Sequence, residues 1–193
     1  MAPSSNPVKT LSPKFMAHVV LRTAQKDAMS KYYQTFLGAH VVWENEVLCF
    51  LTYDEEHHRI ALLNNPSLEP KSKKAVGLEH IAFTYETLSD LLTAYKQRKA
   101  AGITPALCVN HGPTTSMYYA DPDGNHLETQ VDNFETAQQA TDFMNGPEFA
   151  ENPYGADFDP EDLIRRFESG ESDEQLKKFR NVGPRGPDSV PLI

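Results

Sequence analysis

The order of apolar and polar positions predicts one series of elements that occurs twice along the chain. In the first half, residues 15–23 read as a strand, and residues 24–37 carry apolar side chains at helical spacing. Gly38 follows that helix as a C-cap. Three further strand-like runs come next, at residues 40–44, 47–53 and 58–63. The first half therefore predicts a β-α-β-β-β unit.

The second half repeats this order. Residues 77–85 predict a strand, residues 88–101 a helix closed by Gly102, and three more strands follow at 104–109, 114–120 and 125–131. Such duplication predicts an α+β fold of two tandem βαβββ modules, at residues 15–64 and 77–133, joined by a polar linker at 65–76. Two such modules side by side would curve into an open eight-stranded cup.

The two ends of the chain depart from this pattern. Residues 1–14 read as a flexible N-terminal tail, and residues 134–193 as a C-terminal extension with short helices. Asp159 and Pro160 predict a helix start, since one can cap it and the other fits its first turn. A shorter helix is predicted at 174–180, and the Pro- and Gly-rich residues from 182 onward predict an extended or disordered end.

Composition narrows the class of protein. The formal net charge of −9 argues against a nucleic-acid partner, which would select a clustered basic surface. No apolar stretch is long enough to span a membrane. Cys49 and Cys108 both lie in strand-like runs and predict buried free thiols, which is typical of a reducing, cytoplasmic setting.

One hairpin, at residues 116–132, is the most informative stretch. Its sequence is SMYYADPDGNHLETQVD, in which DPDGN at 121–125 predicts a tight turn between two strands. Alternation on the return strand places Glu128 and Gln130 on one face. A carboxylate there can be a metal ligand if imidazoles converge on it, or simply an exposed side chain on a polar face.

A pair of histidines in matching places favours the metal ligand. His18 and His80 lie on the first strand of each half, and a pseudo-twofold relation would bring both towards Glu128. Two imidazoles and one carboxylate form the facial triad typical of non-haem Fe(II) oxygen chemistry. A lone histidine is more often structural, but a structural role does not readily explain a matched pair of histidines together with a glutamate. Laying HRIALL over NHLETQ places Ala61 opposite Glu128, which leaves the site open rather than closed by a fourth ligand.

The segments FMAHVVL, GLEHIAF and YYADPDGNHLE resemble the vicinal oxygen chelate superfamily, which contains glyoxalases, bleomycin resistance proteins and extradiol dioxygenases. Within it, the chain resembles the small single-domain type I extradiol ring-cleavage dioxygenases that act on dihydroxybiphenyl or trihydroxytoluene. The resemblance covers residues 15–131, and NPYGADFDPEDLIRRFESGE resembles their C-terminal extension.

The resemblance implies a role for six residues. The metal ligands would be His18, His80 and Glu128, and the catalytic residues would be His58, Tyr118 and His111. The metal would be Fe(II); Mn(II) accepts the same ligand set. No organic cofactor is implied. Three further histidines, His40, His57 and His126, read as structural or solvated.

The resemblance therefore implies an Fe(II)-dependent enzyme that cleaves a catecholic ring with O₂ beside its two hydroxyls, giving a ring-opened semialdehyde acid. Its partners would be a small aromatic diol and O₂, and a homodimer is compatible with the resemblance. A second hypothesis is a metal-dependent isomerase, lyase or epimerase on the same scaffold, against which the alanine at position 61 counts. A third is a non-enzymatic ligand-binding protein.

Overall fold

A computed structural model of the chain describes residues 10–72 and 75–189. The first half contains β1 (Val19–Thr23), α1 (Lys26–Leu37), β2 (His40–Glu44), β3 (Leu48–Thr52) and β4 (Ile60–Asn64). The second half contains β5 (His80–Thr84), α2 (Leu88–Ala100), β6 (Leu107–Asn110), β7 (Thr114–Ala120) and β8 (His126–Asp132). Beyond them lie α3 (Ala137–Met144), α4 (Pro147–Glu151), β9 (Ala156–Asp157), α5 (Pro160–Glu168), α6 (Asp173–Leu176) and a 3-10 helix at Pro187–Ser189.

These strands form two sheets with the same internal order. The first sheet runs β1-β4-β3-β2 and the second β5-β8-β7-β6-β9. In each, the first and last strands of the half are parallel neighbours and the other pairs are antiparallel. The predicted α+β class with a repeated βαβββ order is confirmed. The eight predicted strands are divided between two separately hydrogen-bonded sheets of four. Strand β9, from the extension, is added to the edge of the second sheet as its fifth strand.

Both first strands are shorter than the sequence pattern predicts. β1 begins at Val19, whose N–H bonds to the Arg59 carbonyl at 3.0 Å. The preceding carbonyls of Met16 and Ala17 accept from the Arg59 guanidinium instead, at 2.9 and 3.1 Å. Because side-chain bonds replace strand pairing there, His18 lies just before the strand rather than in its middle.

A buried arginine joins the two halves. Arg98 of α2 is 1% exposed, and its Nε donates to the carbonyl of Phe36 near the end of α1 at 2.8 Å. Its guanidinium also lies 4.2 Å from the Phe36 ring centroid and donates to the Tyr85 hydroxyl. A cation is stabilised near the carbonyl end of a helix, so Arg98 anchors α1 to the second half.

The turn at 121–125 forms a second contact between the halves. Asp121 accepts a buried hydrogen bond from the Tyr33 hydroxyl of α1 at 2.9 Å and two more from the N–H groups of Asp123 and Asn125. The Gln25 side chain, just before α1, donates to Asp123 at 2.7 Å. The hairpin turn that the sequence predicts therefore also fixes the position of α1.

The C-terminal extension contains both predicted and unpredicted helices. The start of α5 is confirmed, since Pro160 is its first residue and the Asp159 side chain accepts from the N–H of Glu161 at 2.9 Å. Helices α3 and α4 are not anticipated by the pattern, because short segments carry little periodicity; α6 is shorter than predicted. The flexible tail falls mostly on residues 1–9, and the end of the predicted extended segment on 190–193, both outside the described residues.

Two expectations from composition can be compared with the structure. Cys49 and Cys108 are free and buried, which confirms the prediction. Over residues 10–72 and 75–189, every helix is too short or too polar to cross a membrane.

The role of Arg98 leads to a stability prediction. Arg98→Met keeps much of the side-chain volume but leaves the buried Phe36 carbonyl without its partner, so the free energy of unfolding should fall by about 1 to 3 kcal/mol. Urea denaturation measures this. Arg165→Met, which removes an exposed ion pair to Asp162 at 2.7 Å, is the matched control and should change stability by less than about 0.5 kcal/mol. Equal effects of the two substitutions would contradict the anchoring role.

Candidate active site

The strand registers place the two halves in correspondence residue by residue. In the first sheet Val20 pairs with Ala61, and in the second Ala82 pairs with Glu128. His18 precedes Val20 by two residues, just as His80 precedes Ala82. The matching places of the two histidines and the alignment of Ala61 with Glu128 are therefore confirmed.

His80 and Glu128 form the centre of the candidate site. The register of β5 against β8 brings the His80 Nε2 within 3.0 Å of the Glu128 Oε2. The Glu128 residue is 5% exposed, whereas 36% of the His80 side chain remains accessible to solvent. An imidazole nitrogen and a carboxylate oxygen suit a divalent metal, and cis donors at bond lengths of about 2.1 Å are about 3 Å apart, so this pair fits a metal ion.

A chain of hydrogen bonds continues from Glu128 across the sheet. The Tyr118 hydroxyl, opposite Glu128 in the β7–β8 register, donates to Glu128 Oε1 at 2.9 Å. The Nε2 of His111 lies 2.8 Å from the same hydroxyl. Four of the six residues that the sequence indicates thus form one connected series, His111–Tyr118–Glu128–His80.

This network sets the protonation of its members. Burial by itself would raise the pKa of Glu128, but hydrogen bonds from His80, Ser116 and Tyr118 outweigh it and lower that pKa. The hydrogen bond to Glu128 raises the pKa of His80. Burial and the neighbouring Glu128 charge raise the pKa of Tyr118 far above its ordinary value, so its phenol is protonated and available as a donor.

His111 differs from His80 because burial controls its titration. Burial lowers the pKa of His111, and the charges of His80 and Arg185 add to this effect. The Glu128 charge opposes it, as does the nearby backbone of Tyr154 in the C-terminal extension. The His111 ring is therefore favoured in its neutral form.

The remaining two predicted residues lie together on the first half. The rings of His18 and His58 are 4.3 Å apart between centroids, and His58 also stacks on Phe50 at 4.7 Å. The Nδ1 atoms of His57 and His58 are 2.6 Å apart. Burial lowers the pKa of His58, and the charges of His18 and His57 add to this.

The role of His18 as the third metal ligand stays a prediction. Across the described ranges 10–72 and 75–189, no three His, Cys, Asp or Glu side chains approach closely enough to hold a metal ion together. The structure brings His80 and Glu128 together and places His18 beside His58. Two of the three predicted ligands thus fit a metal centre by their contacts, and His18 fits by donor type and by its matching place.

Some contributors were not found from the sequence. Ser116 helps to lower the pKa of Glu128, and its position two residues before Tyr118 on the same strand face is a signal that could have indicated it. Tyr154 acts through its backbone, which no sequence pattern reveals. His57 is largely exposed, as predicted. His126 is the strand partner of His80, and its Nδ1 lies 3.4 Å from the Glu79 carboxylate.

Comparison with known proteins identifies the family of the chain. The family model described as glyoxalase/bleomycin resistance protein/dioxygenase superfamily covers residues 15–129. The chain belongs to this superfamily. Two relatives from Rhodococcus globerulus extend the match: biphenyl-2,3-diol 1,2-dioxygenase 2 is 55% identical over 152 residues, spanning 78% of this chain and 80% of the relative. Biphenyl-2,3-diol 1,2-dioxygenase 3 is 47% identical over 169 residues, spanning 86% and 88%.

These relatives confirm the predicted kinship with extradiol dioxygenases within the superfamily. Among solved structures, a lactoylglutathione lyase from Agrobacterium tumefaciens superposes with a TM-score of 0.51 at 20% identity. The match covers 62% of this chain and 94% of that one. At this identity the likeness shows the shared superfamily fold alone.

The network makes a testable prediction about Glu128. Tyr118→Phe removes one of the donors that stabilise the charged carboxylate, so the pKa of Glu128 in the metal-free protein should rise. A carboxyl ¹³C NMR titration measures it. Tyr119→Phe is the matched control, because the Tyr119 hydroxyl contacts the Met117 sulfur at 3.7 Å on the opposite face of the sheet. A Glu128 pKa that does not move in Tyr118→Phe would show that the hydroxyl does not support the carboxylate.

Proposed function

We propose that the chain catalyses the O₂-dependent extradiol cleavage of a catecholic ring of the biphenyl-2,3-diol type, yielding a ring-opened semialdehyde acid. The observation that carries this is the connected series His111–Tyr118–Glu128–His80, which joins a metal-ligand pair to two groups able to bind diol oxygens. The names of the two Rhodococcus relatives support the substrate class.

The proposed metal is Fe(II), held by His80 and Glu128 with His18 as the third ligand. Bound there, Fe(II) would supply acidification of a chelated diol hydroxyl and a route for electrons from the ring to O₂. The low pKa of Glu128 keeps its carboxylate charged and ready to bind a cation. The accessible side of His80 gives substrate a path to the site.

Tyr118 and His111 would orient the substrate. The Tyr118 phenol is protonated and already donates a hydrogen bond towards the proposed ligand Glu128, so a diol oxygen arriving there would meet a fixed donor. His111 holds the Tyr118 hydroxyl from the other side. Fixing the reacting ring in one orientation lowers the entropic part of the barrier.

His58 would move the proton. Its lowered pKa keeps the imidazole neutral near pH 7, so a ring nitrogen can accept the proton of a substrate hydroxyl and return it when the O–O bond breaks. Both oxygen atoms of O₂ then remain in the product, and no external reductant is consumed.

The first half also offers an apolar surface for a substituted ring. Val20, Trp43 and Phe50 share the sheet face that carries Ala61, and Val20 and Trp43 are about half exposed. Apolar walls beside a few polar groups are typical of small-molecule sites. This surface favours a diol with an aryl substituent over unsubstituted catechol.

The proposal is tested by anaerobic loading with Fe(II), followed by O₂ and 2,3-dihydroxybiphenyl. O₂ uptake should match the appearance of the yellow ring-opened product one to one. His80→Ala should abolish both, because the ligand pair is broken. The exposed His40 on β2 provides the matched control, and His40→Ala should retain activity.

Two results would overturn the proposal. Full turnover by His80→Ala would remove the metal assignment. Binding of one metal ion per chain without any O₂ uptake across a panel of diols would instead favour the isomerase class.

Two histidine substitutions test the proton-transfer role. His58→Ala should lower kcat about 100-fold while iron content stays unchanged, which is the usual magnitude for a lost acid–base group. His40→Ala is the control, because His40 is exposed on β2 and has no proposed role. Steady-state kinetics with metal analysis decides between them. Equal kcat values for both variants would count against His58.

A further inference from the structure

The C-terminal extension lies very close to His111, whose ring is hydrogen-bonded to the Tyr118 hydroxyl. Strand β9 pairs with β6, with Ala156 opposite Asn110. The preceding Gly155 has a φ of +79°, and a Cβ atom on it would lie 2.3 Å from the Asn110 carbonyl oxygen and 2.8 Å from the His111 Cα. Only glycine allows the extension backbone to lie directly against the backbone of His111.

Side chains hold this close approach in place. Asn152, which is fully buried, donates to the Gly155 carbonyl at 2.9 Å and accepts from the Gly155 N–H at 3.0 Å. The Arg185 guanidinium donates to the same carbonyl at 3.0 Å and to the Asp157 carboxylate at 2.7 Å. The turn before β9 is therefore fixed from within the extension.

The other side of His111 is also held by the chain beyond β8. Gly112 has a φ of +94°, and a Cβ there would lie 2.1 Å from a ring atom of Phe143 in α3. The Asn133 side chain donates to the Gly112 carbonyl at 2.8 Å and to the Asn110 side chain at 3.1 Å. His111 thus lies on a short loop with close contacts from the extension on both sides.

We propose that the C-terminal extension, residues 134–189 of the described chain, is the positioning element that aligns His111 with the Tyr118 hydroxyl. Gly155 is its key residue, because its backbone lies against that of His111. This inference rests on the proposed function for its effect on turnover, but the alignment itself is a property of the metal-free protein.

The extension would affect the substrate site through one contact, the hydrogen bond between His111 and the Tyr118 hydroxyl. His111 Nε2 lies 2.8 Å from the Tyr118 hydroxyl, so a shift of the His111 backbone lengthens or bends that bond. Tyr118 would then be a less fixed donor to a substrate oxygen. Misplacing a positioning group by about 1 Å can cost as much as about 100-fold in rate.

The test uses the full-length, metal-free chain and the ¹³Cζ resonance of Tyr118, which senses its hydroxyl hydrogen bonds. Gly155→Ala should shift this resonance, and Gly170→Ala should not. Gly170 is the matched control, since its φ is +89° and a Cβ there would meet nothing within 4 Å. Arg185→Ala, which loosens the same turn without adding a Cβ, should shift the resonance in the same direction but less.

A double-mutant cycle separates positioning from general damage. In the His111→Ala background, Gly155→Ala should leave the Tyr118 resonance where His111→Ala alone puts it. In the iron-loaded enzyme, Gly155→Ala should lower kcat about 10-fold with unchanged metal content, and should add less than a twofold loss to His111→Ala.

Three results would overturn the inference. One is an unmoved Tyr118 resonance in Gly155→Ala and Arg185→Ala; if Gly155→Ala does not fold, Arg185→Ala alone decides. Another is a shift of the Tyr118 resonance by Gly155→Ala that is just as large in the His111→Ala background. The third is an equal shift in Gly170→Ala. If the wild-type enzyme cleaves no diol, the proposed function fails, while the metal-free spectra still decide whether the extension positions His111.

Discussion

The contact between the His80 imidazole and the Glu128 carboxylate is the interaction on which the candidate site depends. It exists because β5 and β8 are parallel neighbours in a register that places Ala82 opposite Glu128. A slip of one residue would turn Glu128 to the face covered by α2 and leave a buried charge without a partner. The tight turn at 121–125 sets the separate β7–β8 register, which brings Tyr118 opposite Glu128.

The two halves contribute unlike surfaces to the proposed chemistry. The second half supplies the charged and hydrogen-bonded groups of the site, in which Glu128 is buried and His80, Tyr118 and His111 are partly buried. Hydrogen bonds are stronger away from bulk water. The first half supplies a more exposed aromatic surface with His58 and His18. Arg98 and the Tyr33–Asp121 hydrogen bond fix α1 against the second half, so they govern how the two surfaces lie relative to each other.

Much of the fold could be predicted from the sequence, because repetition and turn chemistry are local signals. The strand Thr114–Ala120 and the helix start at Asp159 and Pro160 agree with the pattern residue by residue. The separation into two sheets could not be predicted, since periodicity does not say which strands pair across halves. The late start of β1 depends on tertiary contacts, those of Arg59 with the carbonyls of Met16 and Ala17.

The same distinction between local signals and tertiary contacts holds for the candidate site. Glu128 could be found from the alternation along its strand and His80 from its matching place in the repeat, whereas Tyr118 is implied by the resemblance to the superfamily. The contribution of the extension could not, since Gly155 acts through the absence of a side chain and Tyr154 through its backbone. The predicted convergence of His18 on His80 and Glu128 depends on the arrangement of the two halves, which no single segment encodes.

The most direct test of the account is a crystal structure of the anaerobic Fe(II)-loaded enzyme, with iron located by anomalous scattering at its absorption edge. We expect one iron per chain bonded to His80 Nε2, a Glu128 carboxylate oxygen and the imidazole of His18, with the remaining positions open to substrate. Iron bound elsewhere, or bound at His80 and Glu128 with a third protein ligand other than His18, would contradict the proposed metal centre.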